Sequence, residues 1–228
     1  MGTKALDPVT SFTETFKALG LGDSDEGRIA SQTPQVLSVL ASLFERSIGK
    51  NEKQLQASRK EQVVSIFHGS KPATLSIREY IERIFKYSNC STSCFIVAYI
   101  YIERFLQKRK GFCLTSLNVH RLLITSVMVA AKFLDDTCEN NAYYAQIGGV
   151  STTAEMNDLE MEFLFSLDFR LQVTAEVFAN YCRFLEREGD GGYQTGCRTV
   201  TRSQNEGQQR TIKIKKAPEY DTNSCRYI

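Results

Sequence analysis

The chain has 228 residues, 42% of them hydrophobic and 24% charged, with 28 Lys and Arg against 26 Asp and Glu. These are globular proportions, and they exclude a wholly disordered or collagen-like polypeptide. At roughly 150 residues per domain, the length allows one domain with sizeable tails or at most two small ones.

The most apolar stretch, Leu122–Leu134, is interrupted by Lys132 and falls short of the roughly 20 residues that cross a bilayer. The start, MGTKALDPVTS, lacks the apolar run of a secretory signal. An intracellular chain with no membrane partner is expected. Charge is unevenly spread: Met1 to Glu188 holds 21 Lys and Arg against 22 Asp and Glu, and Gly189 to Ile228 holds 7 against 4. A nearly neutral body argues against the basic face that nucleic acid demands, so no direct nucleic-acid contact is expected. The basic residues Lys213, Lys215 and Lys216 read as a solvated tail.

Residues 1–32 read as a flexible N-terminal arm. Their GLGDSDEG run fits neither a dinucleotide fingerprint nor a calcium loop. From Thr33 the apolar spacing turns helical, with Val36, Leu37, Leu40, Leu43 and Phe44 on one stripe and Pro34 at the first helical position. The polar run KNEKQLQASRKEQ that follows reads as a loop or an exposed helix. Ser76 with Glu79 three residues on is a capping-box signature, and Ile77, Ile81, Ile84 and Phe85 form the stripe behind it. Ser91 is placed to cap the next helix, apolar on nearly every face from Phe95 to Ile102.

A further helix spans Asn118 to about Asp136, and its middle is apolar all round, the mark of a helix surrounded by others. The short NNAYYAQIGGV precedes a helix with Thr153 as its expected N-cap and Met156, Leu159, Phe163 and Leu167 as its stripe. The last clear helix is 174–188, and residues 189–228 read as a disordered basic tail. No strand pattern competes in the middle of the chain. The body, 33–188, is therefore an all-α domain of five to seven helices.

Catalytic and cofactor signatures are missing: there is no G-x-S-x-G, no H-E-x-x-H and no phosphate-binding loop. The seven cysteines include no C-x-x-C. Cys90 and Cys94 stand one helical turn apart with no second pair to complete four metal ligands, and His68 and His120 are isolated. A non-enzymatic binding protein without cofactor or metal is expected. Charges within apolar runs are then informative, because a buried unpaired charge costs several kcal/mol. Lys132 ends the central helix and Glu160 sits among Leu159, Met161, Phe163 and Leu164. Residue pattern alone leaves both open between ordinary solvated faces and a binding role. Arg78 and Glu103, on two further apolar helices, are candidates for an interhelical ion pair.

The succession SIREYIERIFKYSNCSTSCFIVAYIYIERFL, LNVHRLLITSVMVAAKFLDD and NNAYYAQIGGVSTTAEMNDLEMEFLFSLDFRL resembles a cyclin box. It is most similar to the small single-box plant cyclins of P- or U-type, akin to the fungal cyclin of phosphate-starvation signalling. The resemblance implies a five-helix cyclin box with flanking N- and C-terminal helices, and a regulatory subunit that forms a heterodimer with a cyclin-dependent Ser/Thr protein kinase and activates it. The setting implied is cell division or phosphate signalling, in nucleus or cytoplasm.

Carried over by residue, Lys132 and Glu160 match the family's pair that grips main-chain groups just before the kinase C-helix. Phe133, Leu164 and Phe169 match apolar positions that pack on that helix, and Arg78 and Glu103 match a buried structural ion pair. Two departures stand out. The substrate-docking M-R-x-x-L pattern is replaced by Ile77-Arg78-Glu79-Tyr80-Ile81, and the chain has no Trp. The 40 residues after Glu188 are too few for a second box. Two other readings are a cyclin-fold module of the transcription machinery and a scaffold that binds a kinase without activating it.

Overall fold

The computed structural model describes Thr15, Phe16, Leu19, Leu21 and residues 33–58 and 63–192. Among these, seven helices and no strand occur: α1 (Gln35–Ser58), α2 (Ile77–Ser88), α3 (Thr92–Lys108), α4 (Val119–Leu134), α5 (Asn141–Gly148), α6 (Thr153–Ser166) and α7 (Ala175–Gly192). The ambiguous polar run after Ile48 continues α1 as an exposed helix to Ser58. α7 continues four residues past the expected end. The basic tail at 193–228 lies outside the described residues.

α4 is the axis of the bundle. Every residue from Leu122 to Ala131 is buried, which requires neighbours on all sides, and α2, α3, α5 and α6 supply them. Its two buried hydroxyls stay satisfied within the helix: Thr125 donates to the Arg121 carbonyl at 2.7 Å and Ser126 to that of Leu123 at 2.9 Å. Burial of such groups is tolerated because no donor is left unpaired. α1 and α7 flank the bundle, packing on each other, with α1 also against α2 and α7 also against α3.

An aromatic cluster ties the chain between α1 and α2 to the core. Phe67 meets Phe105 edge-on at 5.3 Å between ring centroids, and Phe105 stacks on Phe163 at 5.5 Å. Edge-to-face and offset pairs of this kind add roughly 0.5–1.5 kcal/mol beyond the area they bury.

Helix starts follow their caps. The box at Ser76 forms as expected: Glu79 N–H donates to Ser76 Oγ at 3.2 Å and Ser76 N–H to Glu79 Oε2 at 2.9 Å. α6 is capped one residue earlier than expected, by Thr152, whose Oγ1 accepts from Glu155 N–H at 3.0 Å. Ser91 holds the cap position of α3, but its side chain makes no capping bond. Instead Asp135, just past α4, accepts from Ser91 N–H at 3.0 Å and from Ser91 Oγ at 2.9 Å. A carboxylate from one helix end thus serves the positive end of another.

Two expectations change. The Arg78–Glu103 ion pair does not form: Arg78 Nη1 donates to Ser38 Oγ of α1 at 2.7 Å, and Glu103 Oε2 accepts from the Tyr181 hydroxyl of α7 at 2.6 Å. The flanking helices α1 and α7 each offer a polar partner within hydrogen-bond distance, and the two charges do not pair. Within the stretch read as a loose arm, Leu19 is buried and Phe16 lies 5.9 Å from the Phe178 ring of α7. Thr15 donates to Glu186 Oε2 at 2.7 Å.

Candidate partner-docking surface

Lys132 occupies the last turn of α4, one residue after the buried run ends, and Glu160 lies mid-way along α6. α6 turns Met156, Leu159 and Phe163 inward, which directs Glu160 toward the end of α4. The two side chains meet: Lys132 Nζ donates to Glu160 Oε1 at 2.7 Å and to Oε2 at 2.9 Å. The lysine side chain keeps 31% of its surface exposed and the glutamate 16%. Neither is a freely solvated charge, and neither is sealed inside.

A third group completes the cluster. Asn141, the first residue of α5, accepts from Lys132 Nζ through Oδ1. Its Nδ2 donates to Glu160 Oε2 and to Asn157 Oδ1, both at 2.7 Å. The amide orientation is fixed by charge, with its oxygen on the ammonium and its nitrogen on the carboxylate. α5 is held in place by its cap, Asn140 Oδ1 accepting from Tyr143 N–H at 3.0 Å. At its other end, Tyr80 and Arg83 of α2 donate to the Gly148 and Ile147 carbonyls, each at 2.8 Å.

Several large apolar side chains of α4, α6 and the turn after α6 are exposed. Phe133 is 50% exposed, Phe165 62% and Phe169 53%, with Leu134 and Met161 also exposed. Leu164 is half-buried and packs on the core. Phe165 and Phe169 meet edge-on at 5.3 Å. Where exposed apolar side chains cluster, as these two rings do, they are candidates for contact with a partner.

Phe169 is presented by a constrained turn. Asp168 and Phe169 both have left-handed backbones, at φ 51° and 55°, a conformation that costs roughly 1–2 kcal/mol for each non-glycine residue. α3 holds the turn from below. Tyr101 donates to the Leu171 carbonyl at 2.6 Å, and Arg104 donates to those of Arg170 at 2.8 Å and Gln172 at 3.1 Å. Lys108 pairs with Asp168 and holds its carboxyl below the usual carboxylate range. Arg109 pairs with Glu162 and donates to Ser166 Oγ at 3.1 Å.

Of the sequence-based candidates, Lys132 and Glu160 are in contact; Phe133 follows Lys132 in α4, Leu164 lies one turn beyond Glu160 in α6, and Phe169 sits in the turn after it. Met161 and Phe165 escaped that reading, although the signal was there. Two residues beyond the core stripe at Phe163, a helix has turned about 200°, so an apolar residue at 165 must point outward. Asn141 carries no such signal, being a short polar residue among others. Among the described residues, no group of three or more His, Cys, Asp or Glu is disposed to hold a metal ion. No helix among them is long and apolar enough to cross a membrane.

The Cyclin family model matches residues 34–171, from the start of α1 through the turn beyond Phe169. The chain belongs to the cyclin family. Among curated relatives, it is 50% identical over 188 residues to Cyclin-P3-1 of Oryza sativa subsp. japonica, covering 82% of this chain and 79% of that one. It is 52% identical over 154 residues to Cyclin-U4-1 of Arabidopsis thaliana, covering 68% and 76%, and 47% identical over 194 residues to Cyclin-U3-1 of the same plant, covering 85% and 86%. Cyclins as a family are regulatory, non-catalytic proteins that partner cyclin-dependent kinases. In this cyclin a half-shielded ion pair joins α4 to α6, and both helices carry exposed apolar side chains.

Proposed function

We propose that this cyclin is the regulatory subunit of a cyclin-dependent Ser/Thr protein kinase, which it binds through the α4–α6 face and activates. The observation that carries the reading is the Lys132–Glu160 contact at 2.7 Å, made between helices that also carry exposed Phe133 and Phe165, with exposed Phe169 in the turn after α6. An ammonium offers donors only and a carboxylate acceptors only, so together they recognise the carbonyl and N–H of a partner's main chain. The aromatic side chains supply the apolar burial that an interface core needs. The target is the segment before the kinase C-helix. Kinase catalysis needs a Lys–Glu ion pair reaching from strand β3 to that helix, so a partner that holds the helix inward switches activity on. The biological setting is control of cell division or phosphate signalling.

Charge reversal tests this. Lys132→Glu or Glu160→Lys is expected to abolish kinase co-purification and kinase activation while leaving helical content unchanged. The exchange Lys132→Glu with Glu160→Lys rebuilds an ion pair inside the molecule but inverts what a partner meets, and it is expected to remain inactive. Normal binding and activation by the exchanged variant would defeat the site assignment. Binding without activation would leave a scaffold.

A further inference from the structure

Asn141 is bonded to both members of the ion pair at once, through the two ends of one amide. Its Oδ1 accepts from Lys132 Nζ, and its Nδ2 donates to Glu160 Oε2 at 2.7 Å. A side-chain carboxamide has the same donor and acceptor groups as a peptide bond. We propose that Asn141 is a built-in stand-in for the partner's main chain: it occupies the Lys132–Glu160 pair in the free cyclin and is displaced when a kinase segment docks. The inference rests on the reading of that pair as a main-chain clasp and adds how the clasp is regulated.

Three observations support it. First, the pair is only partly accessible, at 31% and 16% of side-chain surface, and Asn141 bonds to both of its charged groups. Second, Asn141 is anchored away from the pair as well, because Nδ2 also donates to Asn157 Oδ1 at 2.7 Å. That bond steadies the amide in its place on the two charges, so it favours the free-state arrangement. Third, Asn141 is not needed to start its own helix, since Asn140 supplies the cap.

A stand-in has a definite energetic signature. The free state is stabilised by hydrogen bonds that docking must break, so each one subtracts from affinity. A group that merely shaped the clasp would do the opposite, and its loss would weaken binding. The stand-in also selects its partner: a segment that offers one carbonyl and one N–H together replaces it fully. A lone charged side chain replaces half of it and leaves a charge unpaired.

The test is calorimetric titration of the full chain with a purified cyclin-dependent kinase, run on wild type, Asn141→Ala, Asn157→Ala and Lys132→Glu. Asn141→Ala is expected to bind about three- to tenfold tighter, one or two modest hydrogen bonds' worth. Its melting temperature is expected to be equal to or below that of wild type. Higher affinity with no gain in stability is an outcome that a purely structural asparagine does not produce. Asn157→Ala, which frees the anchor and leaves the clasp intact, is expected to shift affinity in the same direction by less. Unchanged or weaker binding by both asparagine variants, with Lys132→Glu inactive, overturns the stand-in and leaves the clasp. Wild-type affinity in Lys132→Glu overturns the clasp and the stand-in with it.

Discussion

Arg104 of α3 reaches under the turn that follows α6 and donates to the main-chain carbonyl of Arg170 at 2.8 Å, the residue next to Phe169. Its second terminal nitrogen takes the Gln172 carbonyl at 3.1 Å. The planar fork of a guanidinium suits two carbonyls on one turn in a way that a lysine cannot reproduce. Arg104→Ala is expected to lower stability by about 1 kcal/mol. Arg104→Lys should recover part of that loss. Amide hydrogen exchange localises the effect: faster exchange at Phe169 and Leu171 with α6 unchanged is the expected pattern. Uniform acceleration throughout α6 would mean that the turn is not a separately held unit.

Phe163 and Phe165, two residues apart on α6, should separate stability from docking. Phe163 is buried between Phe67 and Phe105, and its truncation to alanine is expected to cost about 3–5 kcal/mol. Phe165→Ala removes an exposed ring and should change stability by no more than about 0.5 kcal/mol. The same change should weaken kinase binding by roughly tenfold or more, as truncation of an aromatic anchor does. Urea denaturation and calorimetry on both variants check the pair. A Phe165→Ala protein with wild-type affinity would remove that ring from the interface.

Gly148 marks the closest approach of α5 to the central helix. A Cβ there would lie 2.5 Å from Ile124 Cγ1, inside any allowed contact. Gly148→Ala is expected to cost about 1–3 kcal/mol, as overpacking does. Combining it with Ile124→Ala, which deletes the obstructing carbon, should cost less than the two single changes added together. Strict additivity in thermal melts would show that α5 shifts freely instead.

Burial holds both histidines below their ordinary protonation range, His68 and His120 alike. Nε2–H of His120 donates to the Leu75 carbonyl at 2.9 Å, and its buried Nδ1 has no hydrogen-bond partner among the described residues. The unfolded chain therefore binds more protons than the folded one between the lowered values and about 6.5. Stability is expected to fall as pH drops below about 6.5. Asp168 and Glu79 are shifted down from 3.8 and 4.5, so their stabilising share is lost only in more acidic solution. Urea midpoints at pH 7.5 and 5.5 should show the fall, and His120→Asn should flatten it. A midpoint that rises on acidification would contradict the sign.

Much of the architecture was legible before any coordinates. The largely apolar run from Leu122 to Ala131 announced a surrounded helix, and α4 is that helix. Ser76 and Glu79 announced a helix start, and both reciprocal bonds are present. The resemblance singled out Lys132 and Glu160 as a pair, and the two side chains do meet, although 28 residues separate them. Arg78 and Glu103 failed for an equally physical reason. A charged side chain takes a competent partner within reach, and the flanking helices α1 and α7 brought Ser38 and Tyr181 within hydrogen-bond distance.

The helices, the central position of α4 and the residue types able to grip a main chain can all be read from the order of residues alone. Those follow from periodicity and chemistry, which are local. Packing of the folded chain was needed to bring Asn141 across the ion pair, Asp135 to the start of α3, and α3 against the Phe169 turn. Each is a contact between segments far apart in the chain. Hydrogen bonds of about 3 Å depend on how whole helices pack, a property that no local pattern of residues encodes.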